Sequence, residues 1–119
     1  MIFSEIGNTL HCSFSERLDE SVCSVLEQEL QRRTTEFKNN HEDARLVFDL
    51  SEAVFISSVF LRVCLIYLKS FGKDCFTIMK VSEDIYRVFY VSGFTEIMNV
   101  IPSDPVTPPP RRMGGERTE

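Results

Sequence analysis

Proline is absent from the first 101 residues, and only three glycines, Gly7, Gly72 and Gly93, occur there. All five prolines (Pro102, Pro105, Pro108, Pro109 and Pro110) come later. Three isolated glycines cannot build a phosphate-cradling loop, and neither GxGxxG nor GxxxxGK[ST] occurs. No apolar run approaches the roughly 20 residues that span a bilayer. The N-terminus lacks the basic, apolar and small-residue zones of a signal peptide, so a cytoplasmic protein without membrane insertion is expected. Histidine is scarce: His11 and His41 have no HExxH spacing, which gives a metal site or a His-based triad no support. No cofactor is expected. Cys12, Cys23, Cys64 and Cys75 form no CxxC pair and fit neither a zinc site nor a compact disulfide framework; four buried or half-buried thiols are expected.

What is present is a chain of 119 residues and 13.7 kDa with net charge −5, long enough for one domain. Asp104, Glu116 and Glu119 balance Arg111, Arg112 and Arg117, so the charge belongs to residues 1–101. Phosphate backbones select net basic faces, and a nucleic-acid partner is therefore not expected. The composition divides the chain into a folded domain, 1–101, and a disordered Pro/Arg-rich tail, 102–119. An alternative reading makes Pro108-Pro109-Pro110-Arg111-Arg112 a polyproline II ligand.

Within the domain the hydrophobic period changes repeatedly. Ile2 to Ile6 and Thr9 to Phe14 read as strands around a Gly7-Asn8 turn. Asp19 is a suitable N-cap for a helix whose apolar positions are Val22, Val25, Leu26, Leu30 and Phe37. Leu46-Val47-Phe48 reads as a central strand buried on both faces. A second helix starts at Ser57 or Ser58, carries Leu61, Cys64, Leu65 and Leu68, and stops at Gly72. Phe76 to Met79 is a strand, Ser82-Glu83-Asp84 opens a third helix that buries Ile85, Val88 and Phe89, and Thr95 to Ile101 is a last strand. The order β-β-α-β-α-β-α-β predicts an α/β domain: a mostly parallel sheet of four to five strands, covered by three to four helices, after an opening β-hairpin.

Catalytic constellations are missing. Glu42-Asp43 and Glu83-Asp84 are accounted for by a loop and a helix first turn, and the chain is not expected to be an enzyme. One segment stands out, Asp49 to Val63, where a strand leads through a short polar connection to Ser57-Ser58 at a helix start. Two readings of the serines are open. They are caps, or one is an exposed hydroxyl whose phosphate would meet the free N–H groups of the helix.

The segment resembles the signature of the STAS family, the bacterial anti-sigma factor antagonists and their relatives. Phe48-Asp49-Leu50-Ser51 and Phe55-Ile56-Ser57-Ser58-Val59-Phe60-Leu61-Arg62-Val63 carry the match, supported by Arg17-Leu18-Asp19 upstream and by Tyr86-Arg87-Val88-Phe89-Tyr90-Val91-Ser92-Gly93-Phe94 near the end. Two positions depart from the family: Glu16 and Phe60 stand where it usually has Gly. The resemblance implies a phosphoacceptor at Ser58, with Ser57 in the family's Asp position, and a partner surface that includes Asp19, Ser57, Ser58, Val59, Phe60 and Arg62. It implies partner switching. The unphosphorylated domain binds an anti-sigma factor that is also a serine kinase of the histidine-kinase-like ATPase fold; phosphorylation releases it, and a metal-dependent serine phosphatase reverses the step. For Phe60 three roles are open: obstructing the kinase, shaping the surface for one partner, or packing in the core. Some stand-alone members resemble accessory subunits of ABC-type transport complexes, which is the alternative function.

Overall fold

The hairpin, three crossover helices and parallel strands expected from the hydrophobic pattern are present in the computed structural model, which describes residues 1–104. The elements are β1 (Ile2–Ile6), β2 (Thr9–Ser13), α1 (Glu20–Asn40), β3 (Arg45–Asp49), α2 (Ser58–Phe71), β4 (Phe76–Val81), α3 (Glu83–Val91) and β5 (Asn99–Pro102). Short 3-10 turns at Lys73–Cys75 and Phe94–Glu96 precede β4 and β5.

Local chemistry accounts for most boundaries. Gly7 has φ +60° while Asn8 stays out of the positive region, the pattern of a type II′ turn, so the hairpin closes on the Ile6–Thr9 pair. Asp19 caps α1 by accepting from the Val22 N–H at 2.9 Å. Ser82 caps α3 by accepting from the Ile85 N–H. Gly72 at φ +90° ends α2, and its N–H donates to the Leu68 carbonyl at 2.8 Å.

The sheet order is β1-β2-β3-β4-β5, with β1 and β2 antiparallel and every later pair parallel. Each crossover steps one strand in the same direction. Right-handed connections then put α1, α2 and α3 on one face of the sheet. Burial follows: Leu10, Cys12, Leu46, Phe48, Phe76 and Ile78 are fully buried, whereas His11, Val47, Thr77 and Met79, which point the other way, are only half-buried. Leu46-Val47-Phe48 is therefore central but one-sided, contrary to the two-sided strand expected from its continuous apolar run.

Other sequence expectations shift for similar reasons. The core stripe of α1 is Cys23, Leu30, Thr34 and Phe37; Val25, about 200° around the helix from Cys23, is 76% exposed. In α3 Ile85 and Phe89 are buried but Val88 is exposed. Residues 95–98 turn rather than extend, and β5 starts at Asn99. At its far end β5 includes Pro102, and the Ser103 N–H donates to the Val81 carbonyl at 2.9 Å, so the first residues of the expected tail belong to the sheet. The disorder and the polyproline ligand expected further on fall, from residue 105, outside the described residues.

The core centres on Phe48. Its ring meets Phe14 at 5.0 Å and Phe76 at 5.1 Å edge-on, with Tyr67 at 5.9 Å and Phe60 at 6.0 Å. One side chain thus joins β2, β3, β4 and α2. Phe48→Ala is expected to lower the unfolding free energy by about 3–5 kcal/mol, the usual result of emptying a closely packed aromatic site, in urea titrations.

Candidate functional site

The candidate site is assembled where two chain segments meet at the carboxyl ends of β2 and β3. Phe14 leaves β2 through an N–H bond to the Asp49 carbonyl at 3.0 Å, and residues 15–19 then run to the start of α1. Residues 50–57 run from β3 to the start of α2. The Leu18 N–H donates to the Phe55 carbonyl and the Ser57 N–H to the Leu18 carbonyl, both at 3.0 Å, an isolated parallel bridge between Leu18 and Ile56. Leu18 and Ile56 are buried. The N-termini of α1 and α2 are thereby fixed side by side.

The two serines have separate places. Ser57 is the N-cap of α2: its hydroxyl accepts from the Phe60 N–H at 3.3 Å. Ser58 is the first helical residue and is exposed. A hydroxyl at that position is not needed to cap the helix. Around it lie Val59, half-buried, and Arg62, exposed. On the connection before α2, Val54 is 77% exposed and the Arg17 guanidinium stacks over the Phe55 ring at 4.1 Å.

Asp19 is half-buried at the head of α1, where its carboxylate accepts from the Val22 N–H and the Ser21 hydroxyl. These bonds, the Val22 N–H first, hold its pKa below the ordinary aspartate value. It serves as a cap on the same end of the domain as Ser58. Phe60 is the exception among the residues expected on a partner surface. It is 2% exposed, packed on Phe14 at 5.4 Å and on Phe48, and belongs to the core. The reason is helical geometry: Phe60, Val63, Cys64 and Tyr67 form the inward stripe of α2.

A polar cluster on the open sheet face escaped the sequence analysis. Asp49, 6% exposed, accepts from the Ser51 N–H at 2.9 Å, and its other oxygen lies 3.7 Å from His11 Nε2 and 3.8 Å from Lys80 Nζ. Lys80 reaches it through a backbone irregularity. At φ +58° it is the one non-glycine residue with positive φ among the described residues, and the β4–β5 register shifts between Ile78 and Val81. The extra residue sends Val81 into the core and Lys80 to the open face. The sequence did contain the signal: buried apolar positions run Phe76, Ile78, Val81, a step of two followed by a step of three.

Among the described residues no group of three or more His, Cys, Asp or Glu side chains is placed to hold a metal ion. Burial pushes the Cys12 thiol up to about 12 and the Cys64 thiol well above its ordinary value, so neither supplies a thiolate near neutral pH. No helix of the described residues is long and apolar enough to cross a membrane. No protein-family model matches the chain, and no curated protein matches it in sequence.

Two outcomes follow from this geometry. Ser57→Ala is expected to destabilise the domain by about 1 kcal/mol through loss of the cap, and Ser58→Ala by less than about 0.5 kcal/mol, in matched urea titrations. Desolvation opposes ionisation of Asp49, but the Ser51 hydrogen bonds together with Lys80 and His11 outweigh it and hold the carboxyl below the ordinary 3.8. A depressed carboxyl stabilises the fold above the ordinary value, and that contribution disappears as pH falls through the folded-state value. Wild type should therefore lose stability between pH 5 and the acid limit more steeply than Asp49→Asn, which has no carboxyl to protonate there.

Proposed function

We propose that this chain is a non-enzymatic regulatory binding domain of the anti-sigma factor antagonist type, acting by partner switching with Ser58 as the phosphoacceptor. The observation that carries the reading is the division of labour between the serines. Ser57 holds the cap, which leaves Ser58 exposed at the first position of a 14-residue helix with its hydroxyl free for chemistry.

A phosphate there adds about −1.5 to −2 charge beside N–H groups at the positive end of α2. It alters the surface without disturbing the cap. The partner surface comprises Ser58 with Val59, Arg62 and, at the head of α1, Asp19; Ser57 contributes by fixing the helix start. Exposed Val54 and the Arg17-covered Phe55 ring supply apolar area beside it. The partner is a serine kinase of the histidine-kinase-like ATPase fold that also acts as an anti-sigma factor. Its complex with the domain forms in the cytoplasm, breaks on phosphorylation, and reforms after a metal-dependent phosphatase acts. Burying a phosphate without a matching cation opposes binding by several kcal/mol, enough for about two decades of affinity.

The test is a pull-down from cell extract with wild type, Ser58→Ala and Ser58→Asp, with the phosphosites of recovered wild type mapped by mass spectrometry. Phosphate on Ser58, and retention of an ATPase-fold kinase by Ser58→Ala but not Ser58→Asp, is the expected result. Phosphate only at other residues, equal retention by both variants, or phosphate-independent recovery of a transporter ATPase would overturn it.

A further inference from the structure

The two edges of the sheet differ in how they are protected. β5 is four residues long and ends on Pro102, which has no N–H to offer an incoming strand. β1 has neither proline, lysine nor a bulge, and among the described residues it pairs only with β2. Because the type II′ turn closes on Ile6–Thr9, the alternation of antiparallel pairs directs the main-chain groups of Ile2, Ser4 and Ile6 toward β2. Those of Phe3 and Glu5 are left facing outward.

We propose that β1 is a self-association edge, on which a second copy of this chain pairs antiparallel about a two-fold axis at Ser4. This inference is independent of the role of Ser58. In that register Phe3 of each copy lies opposite Glu5 of the other, and both residues exchange their outward N–H and C=O groups. Ile2 lies opposite Ile6 twice. Ile2 is 70% and Ile6 69% exposed in the single chain, and both gain an apolar neighbour across the axis.

Charge selects the same register. The Arg33 guanidinium of α1 sits 4.4 Å above the Phe3 ring and 3.7 Å from Glu5 of its own chain. Placing Glu5 of the second copy opposite Phe3 brings a second carboxylate toward that cation. A register centred on Glu5 would oppose two like charges, and one centred on Phe3 would shorten the paired segment. The two-fold axis is perpendicular to the sheet, so both α1 helices lie on one face and both Arg33 side chains flank the axis. Five-residue strands paired edge to edge make an interface at the small end of the size range of stable complexes, so the dimer is a reversible one that forms as concentration rises.

Sedimentation equilibrium of the full chain up to about 200 µM tests this. Wild type should approach twice 13.7 kDa with concentration. Ile2→Lys with Ile6→Lys opposes lysines at both ends of the paired strands and should weaken association about tenfold or more, while Ile2→Lys with Ile6→Glu opposes unlike charges and should restore it. Because both side chains are exposed, unchanged urea midpoints will show that the folds are intact. A monomeric wild type at the highest concentration, or equal association by the two double variants, would overturn the proposal.

Discussion

Everything at the candidate site depends on the ring of Phe48. It stands on the central strand with Phe14 on one side, Phe76 on the other, and Phe60 and Tyr67 of α2 above it. Phe14 is the residue at which the chain leaves β2, and Phe60 lies in the first turn of α2. Packing both against one strand fixes where two connections begin and end. The Leu18–Ile56 bridge then ties those connections together through main-chain bonds. Ser57 is consequently held as a cap and Ser58 is turned outward. Loss of aromatic packing at Phe48 would be felt at the serines, although none of the rings approaches solvent.

The one-directional crossovers explain a second set of features. A parallel sheet usually carries helices on both faces, but here the three α-helices of the described residues share one. The other face must be compatible with water, and its residues are mixed: Thr9, His11, Ser13, Thr77 and Asn99 accompany Val47, Met79 and Ile101. Asp49 is the exception, a carboxylate that is nearly inaccessible. Its charge is maintained by the Ser51 N–H, Lys80 and His11. Lys80 adopts a backbone conformation that costs about 1–3 kcal/mol in a non-glycine residue. Burial of Val81 and the approach of the lysine to Asp49 are what offset that strain.

Most of the fold was legible because local signals agreed with the global one. Asp19, Ser57 and Ser82 are caps and Gly7 and Gly72 supply positive φ, whereas the buried stripe of α2 is Phe60, Val63, Cys64 and Tyr67, and the expected Leu61, Leu65 and Leu68 are only half-buried. The misses have physical causes. A continuous apolar run cannot report whether one or both faces of a strand are covered; Val47 acquires its partial exposure from the handedness of three crossovers. Thr95 to Ile97 carries strand-like residues, but Gly93 at φ +81° begins a tight turn that continues through Glu96. At the site, the serines and Asp19 could be placed on helix starts from sequence, whereas the contact between the two helix starts could not. It rests on long-range main-chain bonds that leave no residue pattern.

Phe60 shows how burial constrains the proposed switch. A bulky residue two positions after an acceptor serine would hinder a kinase if it lay on the outer face of α2. Its backbone N–H is instead occupied by the Ser57 cap, and its ring is directed between Phe14 and Phe48. Helical geometry separates the two side chains by about 200° around the axis, so an inward Phe60 and an outward Ser58 imply one another. A glycine at this position would permit close approach to the helix start but would contribute nothing to the core. The aromatic makes the opposite choice, anchoring the first turn of α2 before any modification occurs. In the proposed mechanism phosphate on Ser58 therefore acts on a helix start that is already ordered, and its effect on a partner is one of charge and desolvation at the surface rather than of folding.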